Sequence, residues 1–360
     1  MRRRIHRKEK TQKKIIITLS IVLILFLTVG YAAFQSNITL KAKGNVKEKI
    51  ISISDLIKTV VTSGDGLYVD DTETGRYIYK GATPNNYIKL DSDIYRIISI
   101  ESDGTLKVIK KNVIGRMVFD TGYGTSIPGV TDTNSTEGTR YTTVLTDYCY
   151  QNPEQESYYY GCKVWGSRTT TLDSSGNNIT QMPRQIGKTL YDLPEKEAYI
   201  NTYLNSTWLN TLSKDVQSKI VNHMFNVGLI TSDETSLLNT VTQEQTYKWN
   251  GKIGLITASD YVKASTNLSC TSVYAYQSDS NCYSNSETHN WMYTELLSEA
   301  YAWTITPVHN YNNTAVTIVS RLGISYNSAR NDRGISPVFF LSSNVNLKGR
   351  GTINNPYKII

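Results

Sequence analysis

Histidine and cysteine are scarce, with four of each in 360 residues. The histidines are His6, His223, His289 and His309, and the last two lie in loops with no cysteine or carboxylate at metal-ligand spacing. No Cys-x-x-Cys occurs, so the sequence offers no zinc site. The acidic stretch Asp70, Asp71, Glu73 and Gly75 lacks the spacing of a calcium loop and reads as a solvated turn. Neither a metal nor another cofactor is therefore expected. Positive charge is also missing where a nucleic-acid footprint would need it. Of 38 basic and 31 acidic residues, the first fourteen positions hold 8 and 1, which leaves 30 of each for the rest. A neutral remainder argues against phosphate tracking, so no nucleic-acid partner is expected. Only 19% of the chain is charged, which leaves a polar surface rich in Asn, Ser, Thr and the 26 tyrosines. Such a surface recognises partners by hydrogen bonds and aromatic faces. No repeat of solenoid length is present.

Against these absences stands one long apolar run, Ile15 to Phe34, behind Arg2, Arg3, Arg4, Arg7, Lys8, Lys10, Lys13 and Lys14. Twenty helical residues would reach about 30 Å, the thickness of a bilayer core, and the basic flank would hold the amino terminus in the cytoplasm. The expectation is a single-pass cell-membrane protein with an extracellular carboxyl-terminal domain. Cleavage after Ala32, with Gly30 at the −3 position, would make it secreted instead. The domains expected are a basic tail at 1–14, a transmembrane anchor or signal at 15–34, a stalk at 35–65 and an ectodomain at 66–360. Residues 119–190 read as a loop insertion in that ectodomain, since they are rich in Gly, Ser, Thr, Asn and Tyr without periodicity.

Cys149, Cys162, Cys270 and Cys282 fall into two close pairs, 13 and 12 residues apart. Outside the cell two local disulfides are the economical reading, although three pairings are formally possible.

Three strand-like runs, Tyr87–Leu90, Ile94–Ile100 and Thr105–Lys110, are separated by turn residues and predict a meander. A short helix is expected over Ser54–Val61. Ser213 reads as an N-cap for a helix carrying Val216, Ile220 and Met224 on one side, with His223 partly buried on it. Thr257 or Ser259 caps a turn through Ala264 after a buried strand at Lys252–Ile256. Tyr301–Ile305, Val316–Val319 and Pro337–Leu341 read as closing strands, with a tight turn at Gly349–Thr352 before Tyr357–Ile360.

The sharpest functional signal lies between Trp303 and Leu341. Patterned strands there flank loops of His309, Asn310, Tyr311, Asn312 and Asn313, then Ser320, Arg321, Tyr326, Asn327, Ser328, Arg330, Asn331 and Asp332. Aromatic faces beside flexible hydrogen-bonding groups predict a ligand-binding face on a β scaffold.

These residues carry a family likeness. Trp303-Thr304 with Pro307, the run Gly334 to Ser343, and Gly349 to Tyr357 resemble the closing pattern of C-type-lectin-like domains in uncharacterised bacterial surface proteins. That fold is related to the formylglycine-generating enzyme. The meander 87–110, Leu204–Leu209, Trp249–Ile256 with Ser259–Tyr261, and Asn290–Met292 look similar too. The resemblance implies an α+β, C-type-lectin-like fold: a small twisted antiparallel sheet, two helices and long loops on one face that binds ligand. Residues 309–313 and 320–333 match that face, which in some relatives is diversified in Asn, Tyr and Ser. The Glu-Pro-Asn and Trp-Asn-Asp motifs of calcium-dependent sugar binding are missing, and the cysteines do not match the copper pair of the enzyme. Neither activity is carried over.

The resulting expectation is a non-catalytic binding protein for a glycan or protein ligand on a cell, wall or phage surface. Its candidate ligand-binding residues are Trp303, Asn310, Tyr311, Asn312, Arg321, Tyr326, Asn327, Arg330 and Asn331. A structural envelope component, or a surface hydrolase built from loops 119–190 and His309, are the alternatives.

Overall fold

Alternation of apolar and polar residues builds the first half of the main sheet. The computed structural model describes residues 17–25, 49–120, 162–183, 186–187, 190–194, 196–296, 301–309, 315–320, 323–329 and 331–360. Two units divide the chain, Met1–Lys47 and Glu48–Ile360. In the first, residues 17–25 are helical with exposed side chains. Among the described residues no helix is long and apolar enough to cross a membrane. That finding overturns the transmembrane segment at 15–34 and the single-pass, signal-anchored localisation.

The second unit begins with a short helix α1 (Ile53–Ile57), capped by Ser52 in a reciprocal box with Asp55. Ile53 and Leu56 are buried in the core, so residues before 66 belong to the folded body. Strands β1 (Gly66–Val69) and β2 (Tyr77–Lys80) form a hairpin, and β3 (Tyr87–Leu90), β4 (Asp93–Ile100) and β5 (Leu106–Lys110) form the expected meander. Asp91 makes the β3–β4 turn at φ 52°, where a short polar side chain tolerates left-handed backbone. After β6 (Arg116–Val118) come β7 (Thr171–Asp173), β8 (Gln181–Pro183) and β9 (Leu190–Asp192). Then follow β10 (Ile220–Val221), β11 (His223–Asn226), β12 (Tyr247–Gly251) and β13 (Ile253–Gly254). The closing strands are β14 (Tyr301–Pro307), β15 (Ala315–Ser320), β16 (Gly323–Ser328), β17 (Asp332–Gly334), β18 (Val338–Leu341), β19 (Leu347–Lys348) and β20 (Tyr357–Ile359).

The small antiparallel sheet of a lectin-like fold is not what these strands make. Ten of them join one sheet whose spine runs β10-β18-β5-β4-β3-β20-β19, with β1, β2 and β13 paired at its sides. Strand β18, apolar at all four positions, pairs with β5, β10 and β13, and β20 pairs with β3 in parallel. A second sheet of five strands runs β16-β15-β14-β17-β6, again with one parallel pair. The molecule is mixed α/β with large sheets, which corrects the α+β, C-type-lectin-like expectation. Gly349 and Gly351, at φ 114° and 70°, make the turn that brings β20 back beside β19.

The helices are short. After α2 (Tyr199–Thr202) comes α3 (Lys214–Lys219), which Ser213 caps as its sequence predicts. It stops at Lys219, and Ile220, His223 and Met224 enter strands β10 and β11 instead of continuing it. Pairing of Ile220 and Val221 with Leu341 and Phe340 outweighs the helical spacing. Further on lie α4 (Leu237–Glu244), α5 (Ala258–Lys263), α6 (Ala275–Ser278), α7 (Ser280–Tyr283) and α8 (Trp291–Leu296). Helix α5 is capped by Thr257 with Asp260 reaching back, a complete capping box.

Two aromatic groups fix the core between these layers. Trp165 packs edge-to-face with Phe119 and Trp249, and Phe119 with Trp303. The other surrounds the buried Arg96, whose guanidinium lies 4.0 Å from the Tyr87 ring and 4.5 Å from the Trp291 ring. Glu295 pairs with it at 2.8 Å.

A candidate binding cleft above a buried ionic cluster

The acidic stretch Asp70 to Gly75 is not a solvated turn. It folds back on Arg76, which is 4% exposed, and the sheet and helix α5 supply the rest of the shell. Arg76 Nη1 donates to Asp70 Oδ2 at 2.7 Å and Glu73 Oε2 at 3.0 Å, and Nε donates to both oxygens of Glu101 at 3.1 Å. Nη2 donates to Asp260 Oδ1 at 3.0 Å and to Ser99 Oγ at 3.1 Å. Lys107, from β5, donates to Asp260 Oδ2 at 2.5 Å. Lys263, one turn along α5, donates to Asp70 at 2.9 Å and Glu73 at 2.6 Å. Three cations and four carboxylates thus interlock with nearly every donor satisfied, the condition under which buried charge is tolerated.

Burial alone would raise Asp70, but Lys263 and Arg76 outweigh it and hold the carboxyl down to about 2. The same contest at Asp260, with Lys107 and Arg76 as the cations, holds its carboxyl well below the usual range. A hollow of about 30 Å³ beside Arg76, Glu101 and Asp260 is room for a single water. His223 also lines it and stacks on Phe340 with ring centres 3.7 Å apart.

Above the cluster opens a cleft of about 390 Å³, within the range of small-ligand sites (about 300–1,000 Å³). Lys263 belongs to both, its stem in the cleft lining and its ammonium in the cluster. Tyr68 from β1 and Lys80 from β2 form one side, with the Lys80 ammonium 5.4 Å from the centre of the Tyr68 ring. Asp71 adds an exposed carboxylate, and the half-buried Leu237 adds apolar surface in front of the buried Val262. The facing wall is the loop Ser265–Thr271. Asn267 shapes it: its Oδ1 accepts from the Ser269 N–H at 3.0 Å, its carbonyl accepts from the Cys270 N–H at 3.0 Å, and its Nδ2 donates to the Asn281 carbonyl at 3.1 Å. The Cys270–Cys282 disulfide ties the loop to α7. This is the local pairing that the cysteine spacing suggested. Cys162 is disulfide-bonded as well, and Cys149 lies outside the described residues.

Ser265, in the same wall, has Oγ 2.8 Å from His289 Nδ1 and accepts the Asn267 N–H at 3.0 Å. Burial pushes His289 below its ordinary value. Its Nε2 is buried with no hydrogen-bond partner among the described residues. Elsewhere Lys163 is buried with Nζ 2.8 Å from the Val308 carbonyl, and burial pushes its ammonium down to about 7. His309, beside it in the chain order of Val308, is likewise pushed down by burial.

The residues singled out between 303 and 331 are distributed differently from the cleft. Trp303 is 1% exposed and its Nε1 donates to the Met117 carbonyl at 2.8 Å, so it serves the scaffold. Tyr326 and Asn327 are half-buried on β16, Tyr326 packs against the core, and the Asn331 amide donates to the Asn327 side chain. Asn310, Tyr311, Asn312, Arg321 and Arg330 lie outside the described residues. Tyr68, Lys80 and Leu268 were not singled out in the sequence. The signals that point to them are the acidic turn before Arg76 and the second cysteine loop. Comparison of the chain with protein-family models, with curated proteins and with solved structures finds no match.

Proposed function

We propose that the chain is a non-catalytic binding protein that takes a glycan or protein ligand in the cleft between Tyr68 and Leu268. The observation that carries this reading is a ligand-sized hollow whose walls are fixed before anything binds. The ionic cluster holds one side and the Cys270–Cys282 bridge the other. Pre-organised walls lower the ordering cost of binding. The lining offers an aromatic ring, one carboxylate, one ammonium and aliphatic surface, the mixture that orients a ligand with polar and apolar faces.

The test uses residues 48–360, which contain every buried core residue among the described ones. This protein is screened against arrays of glycans and of surface proteins, beside a Tyr68→Ala/Asp71→Ala double variant and a Tyr326→Ala variant. Loss of roughly tenfold or more in affinity is expected for the double variant only. Binding that survives the double change, or that fails in Tyr326→Ala, would move the site away from the cleft.

A further inference from the structure

Leu268 is 91% exposed, the most exposed of the large apolar side chains at the cleft. A lone surface leucine needs no explanation. This one stands on a turn held by three hydrogen bonds from Asn267 and by a buried disulfide, so it projects as a fixed knob. The hollow beside it is lined by Leu237 and Val262, and Leu238 on the same helix is 57% exposed.

The charges of the cleft divide in the same way. Lys263 is saturated by Asp70 and Glu73. Asp71 and Lys80, of opposite sign and in the same lining, have no ion pair among the described residues. A knob beside a matching hollow, and a free cation beside a free anion, make a surface complementary to its own two-fold rotated copy.

We infer that the protein partner of this cleft is a second copy of the chain, in an isologous pair. Leu268 of each copy enters the hollow of the other, and Asp71 of each meets Lys80 of the other. The inference rests on the reading of the cleft as a binding site and names its occupant. Burial of the two leucines provides the affinity, and the two crossed charge pairs set the orientation. Asp71 is exposed and Lys80 half-buried, and repulsion when the pairs are mismatched is the sharper signal.

Sedimentation velocity of residues 48–360 across a concentration series provides the test. The parent self-associates, and Leu268→Asp weakens the pair by roughly 30-fold or more, the effect of a central hot spot. Asp71→Lys and Lys80→Asp each weaken it singly, since each homodimer then places like charges together. An equimolar mixture of these two variants restores association to within about tenfold of the parent, because every crossed pair in the heterodimer is again opposite in sign. All three positions line the cleft, outside the core, and thermal unfolding of each variant verifies that the fold is kept.

A parent that stays monomeric, an association untouched by Leu268→Asp, or a mixture that fails to recover overturns the inference. A monomer that still captures a glycan or another protein through the cleft sinks the self-pairing alone and leaves the binding reading standing. A monomer that captures nothing removes both.

Discussion

Two buried carboxylates, Asp260 and Glu244, meet the same short helix and live under opposite rules. Asp260 lies inside α5 and is held by Lys107, Arg76 and the backbone of its own cap. Glu244, at the end of α4, is held by neutral donors only: the Ser259 N–H at 3.2 Å, the Ser259 hydroxyl, and the Thr306 hydroxyl at 2.8 Å. Both are about 1% exposed. Burial therefore penalises the ionised form in both, yet Asp260 is pushed down and Glu244 is pushed up. Depth does not decide the protonation state; the sign of the neighbours does. The cationic site acts as a clamp joining β2, β5 and α5, while the hydroxyl site only seats α4 against α5 and β14.

Three measurements would break or sharpen that contrast. The largest effect is expected for Asp260→Asn. It leaves Lys107 and Arg76 short of a charge in the interior and weakens the α5 cap, so denaturant unfolding should show a loss of about 3–5 kcal/mol. A loss no larger than that of Glu244→Gln would abolish the distinction.

Next is acid. Asp70, Glu73 and Asp260 have folded values below their unfolded ones, so their stabilisation is complete above about pH 4 and is lost as pH falls towards about 2. Asp70, held at about 2, accounts for about 2 kcal/mol of that loss by itself. Thermal unfolding between pH 5 and pH 2, steps set by that carboxylate range, should show a steep fall. A flat profile would mean that the cluster is not ionised in the folded chain.

The smallest effect belongs to Glu244→Gln, within about 1 kcal/mol at neutral pH, since hydroxyl partners can turn to suit an amide. Here the sign reverses. Glu244 is raised, so its contribution is complete below its unfolded value and is lost as pH rises through the folded one. The variant should therefore gain on the parent as pH climbs from about 4.5. A gain on acidification instead would place Glu244 with the clamped carboxylates.

Local order was legible in the sequence and long-range pairing was not. The meander 87–110 and the caps at Ser213 and Thr257 follow from residue alternation and from side chains that satisfy the first amides of a helix. Ile220 to Met224 carry helical spacing, and distant partners made strands of them: Leu341 and Phe340 for Ile220 and Val221, Gly251 and Asn250 for His223 and Met224. The cleft was hidden for the same reason. Asp70 and Glu73 look like a wet turn until Lys263, some 190 positions away, arrives beside them. The apolar run at 15–34 has the length of a membrane span, yet among the described residues no helix is long and apolar enough to cross one.

The place of β18 and β20 in the main sheet has a consequence for how the chain is made. Strand β18 fills the position between β5 and β10, and β20 closes the far side against β3. Until residues 338–359 leave the ribosome, the growing chain carries β3 and β5 with one unpaired side each. Emerging synthesis must therefore hold an unfinished sheet for most of translation, a state prone to wrong strand partners.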